Sequence, residues 1–490
     1  MAAIKTRYLL RRASPLTLER NATLQIDGMT IAAATGESGT SLMAVDASYP
    51  NTLIVPALAN AHDHGRGLKT LAYGAFDTAV EAWVPATYTL PPLDPYLVAA
   101  LAFARMARAG ITSIVHCHVS SGGISLLTAA EAVARAARDV GVRVAFVVPL
   151  RDRHRLGYGD DEAILVHMDP ADIEGITVRW LKPIAPIAKQ LDTVDRIAEQ
   201  CAGPFFTVQY GPVGLEWCSD RLLREVAAHA ARTNRRIHMH LLETRHQRQW
   251  TDAHYPQGPV QRLAELGLLS ERLTLAHGTW LRPHESELLA RYNVTVSINT
   301  SSNLRLKSGI APLPSIKAAK LRFAIGLDAL ALDDDDDILR ELRLTQLIHG
   351  GIGFDHHITC EDVFDAGSHA GACTVCGPSR IGELTEGAPA DFIVLDYDRL
   401  SADLHPALDE PFRTFFTRAN QRHIESVYCA GRQIVRHGRV NGIDEAALQQ
   451  EITKQLAKAG PEIVAVRGLL ARFQRGLERF YAADGHLRGA

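Results

Sequence analysis

The 490-residue sequence predicts an α/β protein built on a (β/α)8 TIM-type barrel, with a small β-sandwich formed from its N- and C-terminal segments. Three observations carry this prediction. About eight apolar, β-prone runs alternate with helical stretches between residues 53 and 327. The two ends of the chain carry β texture without that rhythm. No glycine-rich phosphate loop follows the first run, which sets aside the runner-up, an open doubly wound sheet.

Residues 1–50 read as short strands and turns, such as Thr23–Asp27, a turn at Gly28, and Met29–Ala33. The barrel rhythm then opens with an apolar run at 53–58. It continues through strands 111–116, 142–148, 204–210, 236–242, 273–276, 294–298 and 321–327. Between them fall helical stretches at 97–108, 128–140, 219–233 with Ser219 as N-cap, 259–266, 284–292, 312–319 and 336–348. β texture returns at Gly387–Asp396, Ile424–Ala430 and Gln433–Val435, and residues 445–482 show apolar positions at helical spacing. The expected division is 1–55 and 381–440 for the two parts of the sandwich, 56–380 for the barrel and 441–490 for a helical extension.

Bulk composition narrows the function classes. A net charge of -3 offers no general attraction to nucleic acid or to anionic membranes. No apolar run reaches membrane-spanning length, and the N-terminus lacks the apolar core of a signal peptide. Seven scattered cysteines fit a reducing, cytoplasmic setting.

Barrel enzymes present their reactive side chains at the C-terminal ends of strands. The first barrel run leads into His62-Asp-His64, and side chains two apart in a strand share a face. The 236–242 strand carries His238 and His240, with Glu243 just beyond; the 273–276 strand ends at His277 and the 321–327 strand at Asp328. A histidine at one strand end is ordinarily a hydrogen-bonded core residue. Agreement among several ends of one barrel points instead to a site of imidazoles and a carboxylate, suited to a borderline divalent ion such as zinc or iron with room for water. The loops after the strands offer candidate substrate-binding residues: Trp83, His118, Arg151, Gln209 and Tyr210. Trp83 suits stacking on a planar ring, Gln209 suits an amide edge, and Arg151 suits a carbonyl or carboxylate.

Several segments together resemble the amidohydrolase superfamily, in its deaminase and chlorohydrolase branch of guanine deaminases, cytosine deaminases and triazine hydrolases. They are Pro56-Ala-Leu-Ala-Asn-Ala-His62-Asp-His64, His240-Leu-Leu-Glu243-Thr, Leu275-Ala-His277-Gly, Thr300-Ser-Ser-Asn303 through Pro312, Gly326-Leu-Asp328, and Gly382 through Asp396. The resemblance implies that His62, His64, His240 and Asp328 hold one divalent ion, zinc first and iron(II) as the alternative. It implies that Glu243 shuttles protons, that His277 orients the attacking water or the substrate, and that Asp328 also accepts the water's proton. The fourth strand has no lysine of the kind that bridges two metals in another branch, so a mononuclear site is expected. Three departures fall on the pocket wall: Ala329 after the aspartate, where the family often has glycine; Ser297-Ile-Asn-Thr300; and His116-Cys117-His118. The implied activity is hydrolytic deamination of an amino-substituted N-heterocycle of purine, pterin, pyrimidine or triazine type. Ring-opening or linear amide hydrolysis, triazine dechlorination and an inactive scaffold are the alternatives. The expected partners are a small heterocyclic substrate and further copies of the chain, in a dimer or larger homo-oligomer, with neither nucleic acid nor membrane.

Overall fold

The computed structural model describes residues 2–37, 48–119, 123–405 and 408–488; residues 38–47 of the expected first segment and 489–490 of the last lie outside it. Two eight-stranded sheets organise these residues. The first joins both ends of the chain. β1 (Ala2–Arg12), β2 (Thr17–Asp27), β3 (Thr30–Glu37) and β4 (Thr52–Pro56) come from the N-terminal side. The second sheet, in chain order, is β5 (Leu58–Asp63), β6 (Ile111–Cys117), β7 (Arg143–Leu150), β8 (Phe206–Pro212), β9 (Ile237–Leu241), β10 (Leu273–His277), β11 (Thr295–Ile298) and β12 (Arg322–Ile325). β13 (Phe392–Asp396), β14 (Ile424–Cys429), β15 (Arg432–Arg436) and β16 (Arg439–Val440) then complete the first sheet in the order β16-β15-β14-β13-β4-β1-β2-β3.

The consecutive, parallel order of β5 to β12 is that of a barrel. Helices cover its outside, so strands such as Ile111–Cys117 are buried on both faces and read as continuous runs. The seam between β12 and β5 closes at its upper end. Asp328 N donates to His62 O at 2.8 Å, Leu327 N to Asn60 Oδ1 at 2.9 Å, and Ala329 N to Asp63 Oδ2 at 2.9 Å. Asp63, on the other face from His62, is thus a clamp: it also accepts from Gly65 N at 2.6 Å and Asn60 Nδ2 at 2.8 Å.

The apolar run expected as the first barrel strand is two strands in two sheets. Leu53–Pro56 pairs with β1 and β13, and the barrel strand starts at Leu58. Pro56 has no N–H to extend a ladder, and Ala57 N already donates to Asp391 O, so the chain changes sheet there. In the terminal sheet, alternation sends Leu53, Val55, Ile393 and Leu395 toward the barrel, whereas Ile54, Phe392 and Val394 join Leu9, Leu24 and Ile26 in a separate small core.

Two helices close the barrel ends. Helix His369–Cys376 plugs the N-terminal mouth, where Gln209 Nε2 donates to Thr374 O at 2.8 Å and Thr207 Oγ1 to Val375 O at 3.1 Å. The C-terminal helix Glu445–Ala482 buries Val466, Leu470, Phe473, Leu477 and Tyr481, a stripe at helical spacing. Gln474 Nε2 donates to Ala82 O at 2.8 Å, Arg472 pairs with Asp172 at 2.7 Å, and Tyr158 N donates to the Tyr481 hydroxyl at 3.0 Å. This helix straps the opposite, C-terminal mouth. No helix among the described residues is long and apolar enough to cross a membrane.

Candidate active site

The strand ends converge as the barrel requires. His62 Nε2 and His64 Nε2 lie 3.2 and 3.1 Å from the same atom, Asp328 Oδ1. His62, His240 and His277 also bring ring nitrogens within 4.8 Å of one another. Asp328 Oδ2 accepts from Ser302 Oγ at 2.6 Å. Asp328 and His277 both sit in left-handed backbone, at φ 53° and 76°, a strain that non-glycine residues tolerate where the surroundings fix it. Ala329 follows at φ 55°, which explains why a glycine would suit this position.

The donor set fits a divalent ion. A ligating imidazole commonly donates its other N–H to a fixed acceptor. His64 Nδ1 donates to Cys117 O and His240 Nδ1 to Val213 O, each at 2.9 Å, and His62 Nδ1 faces His238 Nε2 at 2.9 Å. With Nδ1 protonated in all three, each Nε2 keeps a lone pair. His62 Nε2 is buried without a hydrogen bond of its own. Burial pushes His62 down to about 4 and holds His240 well below the ordinary histidine range, so both stay neutral as metal ligation needs.

Beside this cluster, Glu243 Oε2 lies 3.7 Å from His277 Nε2, and Ser308 Oγ donates to Glu243 Oε1 at 3.4 Å. Burial, helped by Asp328 and Glu81, pushes Glu243 up to about 6 against the opposing pull of His277. His277 Nδ1 lies between Asn303 Oδ1 at 3.0 Å and Asn299 Nδ2 at 3.2 Å. It donates to Asn303 when the ring is charged and accepts from Asn299 when neutral, so Nε2 carries a proton toward Glu243 in both states.

His64, His238, His240, Glu243, His277 and Asp328 line one cavity of about 380 Å³, together with Trp83, His118 and Arg151. Gln209 and Tyr210 do not line it. β8 runs to Pro212, two residues beyond the expected end, so Gly211, Pro212 and Val213 form its share of the wall. Gln209 is spent on the lower plug, and Tyr210 is fully buried on the helix side with its hydroxyl 3.4 Å from Thr233 Oγ1. Sequence reasoning also missed Tyr158, Phe473 and Tyr481, which reach the cavity from a loop and from the C-terminal helix, and it gave no role to His238, the partner of His62. The His238-x-His240 spacing was the only signal for any of them. Lys182 lies outside the strands and lines the rim, its Nζ donating to Val178 O at 2.6 Å.

The buried neutral histidines have a stability consequence. His62, His116 and His238 are all held below the ordinary range by burial, so the unfolded chain binds protons that the folded chain refuses. Stability is then fully present above about pH 6.5 and falls as pH drops from there toward the folded values. Three such groups give a loss of about 4 kcal/mol between pH 7.5 and 5.5. Urea unfolding of metal-stripped protein at the two pH values checks this; an unchanged midpoint and slope contradict it.

A cluster of this kind at the C-terminal rim of a parallel barrel marks the chain as a barrel hydrolase. The chain belongs to the amidohydrolase family, whose model matches residues 53–434. It is 30% identical over 416 residues to a 5-methylthioadenosine/S-adenosylhomocysteine deaminase of Pyrococcus horikoshii, covering 82% of this chain and 87% of that one. It is 28% identical over 414 residues to a 5'-deoxyadenosine deaminase of Methanopyrus kandleri, covering 82% and 85%. In fold it resembles a zinc-bound adenosine deaminase from Xanthomonas campestris, at 21% identity, TM-score 0.75, and 93% and 98% of the two chains. It also resembles the zinc complex of atrazine chlorohydrolase from Arthrobacter aurescens, at 19% identity, TM-score 0.76, and 93% and 99%.

Proposed function

We propose that the chain is a metal-dependent aminohydrolase that replaces the amino group of an N-heterocycle with oxygen, consuming water and releasing ammonia. The observation that carries this reading is the Glu243–His277 pair, 3.7 Å apart, facing the His62–His64–Asp328 cluster across one cavity. His62, His64, His240 and Asp328 hold one ion per chain, zinc first and iron(II) as the alternative. When bound, the ion lowers the pKa of its water ligand toward about 7.

The side chains do the rest. Asp328 accepts the proton released by the attacking water. Glu243, pushed up to about 6, gives its proton to a ring nitrogen, takes one from the new hydroxyl as the carbonyl forms and hands it to the departing amine, and is reprotonated by the proton held on Asp328. His277 Nε2–H donates to the oxygen on the attacked carbon. Trp83, His118 and Arg151 bind the heterocycle, and 6-aminopurine nucleosides, the class in the relatives' names, are the first substrates to test.

An ammonia-release screen of aminopurine nucleosides, pterins, pyrimidines and triazines, with zinc- and iron-loaded protein, tests the reading. Ammonia released with the ring chromophore retained is expected. Collapse of ring absorbance means ring opening, chloride release means dechlorination, and no turnover at full metal content means a scaffold. Seven free cysteines support a cytoplasmic setting. A dimer or larger homo-oligomer rests on the family resemblance, and light scattering tests it.

A further inference from the structure

Arg66 follows His64 by two residues, on the loop that leaves β5. It is 9% exposed and lines the same cavity as Glu243, His277 and Asp328. Its guanidinium lies over the Trp83 ring, 5.1 Å from the centroid, and its Nε is buried with no hydrogen-bond partner. Several neighbouring cations are committed. Lys69 and Arg105 share Asp336, Arg155 pairs with Asp161 at 2.8 Å, and Lys182 is tied to Val178 O. Arg66 forms no ion pair with any carboxylate among the described residues. The polar side chain beside it is the Tyr73 phenol, which burial keeps neutral.

The backbone makes this placement fixed. Arg105 Nη1 donates to Gly67 O at 2.9 Å and its Nη2 to Arg66 O at 2.5 Å. Gly65, at φ 58°, passes so close under His116 that a Cβ there would collide with its Nδ1. The loop is therefore preset with the arginine in place. A buried guanidinium without a counter-charge is unfavourable unless a ligand supplies one, and its planar fork matches the two oxygens of a carboxylate.

We propose that Arg66 is an anion subsite within the substrate chamber, and that the substrate carries a carboxylate bound by this guanidinium against Trp83. The proposal rests on reading the cavity as the substrate chamber, but its test needs no turnover. Nicotinate and its neutral counterpart nicotinamide serve as probes, titrated by calorimetry into the full-length protein, zinc-loaded and metal-stripped. Nicotinate is expected to bind roughly tenfold more tightly in both states. Arg66→Gln should bring that ratio to about one while leaving nicotinamide affinity and zinc content unchanged, and Arg66→Lys should keep part of the preference.

A preference that vanishes when the metal is stripped places the carboxylate on the ion and overturns the proposal. So do equal affinities in the wild type, no binding of either probe, or a preference that survives Arg66→Gln. Thermal melting separates a structural role. Loss of an uncompensated buried charge should leave the metal-stripped Arg66→Gln protein melting at or above the wild-type temperature, and a lower one overturns the subsite. A failed ammonia screen with a positive probe result would remove the deaminase reading and leave the subsite standing.

Discussion

Glu243→Gln is expected to keep its metal and lose about two to four decades of kcat. The amide preserves the shape of the side chain and can still accept from Ser308, but it can carry no proton between ring nitrogen and leaving amine. Glu243 contributes no atom to the His62–His64–Asp328 group, so zinc content should stay at the wild-type level. The two readouts together make the variant informative. Near-normal turnover removes Glu243 from the proton path, and loss of zinc moves it into the metal site. The measurement is steady-state ammonia release, with metal analysis of the same preparation.

His64→Ala is expected to lose the ion. His64 Nε2 shares Asp328 Oδ1 with His62 and is held toward it by the bond from its Nδ1 to Cys117 O. Alanine removes one of four proposed donors, and three donors with a widened opening hold a divalent ion far less tightly. Content should fall from about one ion per chain to near zero after dialysis, and activity with it. Full occupancy in this variant excludes the proposed site.

Much of this architecture was legible in the sequence because barrel strands are buried on both faces and read as unbroken apolar runs. The strand ends followed, and with them His62, His64, His240, Glu243, His277 and Asp328. The errors have local causes. Apolarity alone does not show that Pro56 ends one sheet's strand, because Leu58 continues the same texture in another sheet. β8 was expected to end at Tyr210, although Gly211 and Pro212 both lie inside the strand. That two-residue error sent Gln209 to the pocket when its amide is bound to Thr374. Tyr158, Phe473 and Tyr481 were out of reach for a different reason. Their position depends on how a distant helix crosses the barrel, and a helical stripe records which face is buried but not what it is buried against.

That strap also sets an order of events during synthesis. Every proposed ion ligand lies at or before Asp328, whereas Phe473 and Tyr481 are added later. At ordinary elongation rates the interval from residue 328 to 481 is roughly 8–30 s. A nascent chain therefore presents its histidine and aspartate ligands to the surrounding solution well before its roof exists. Ion loading can precede closure, and the finished chamber depends on the C-terminal helix as well as on the barrel.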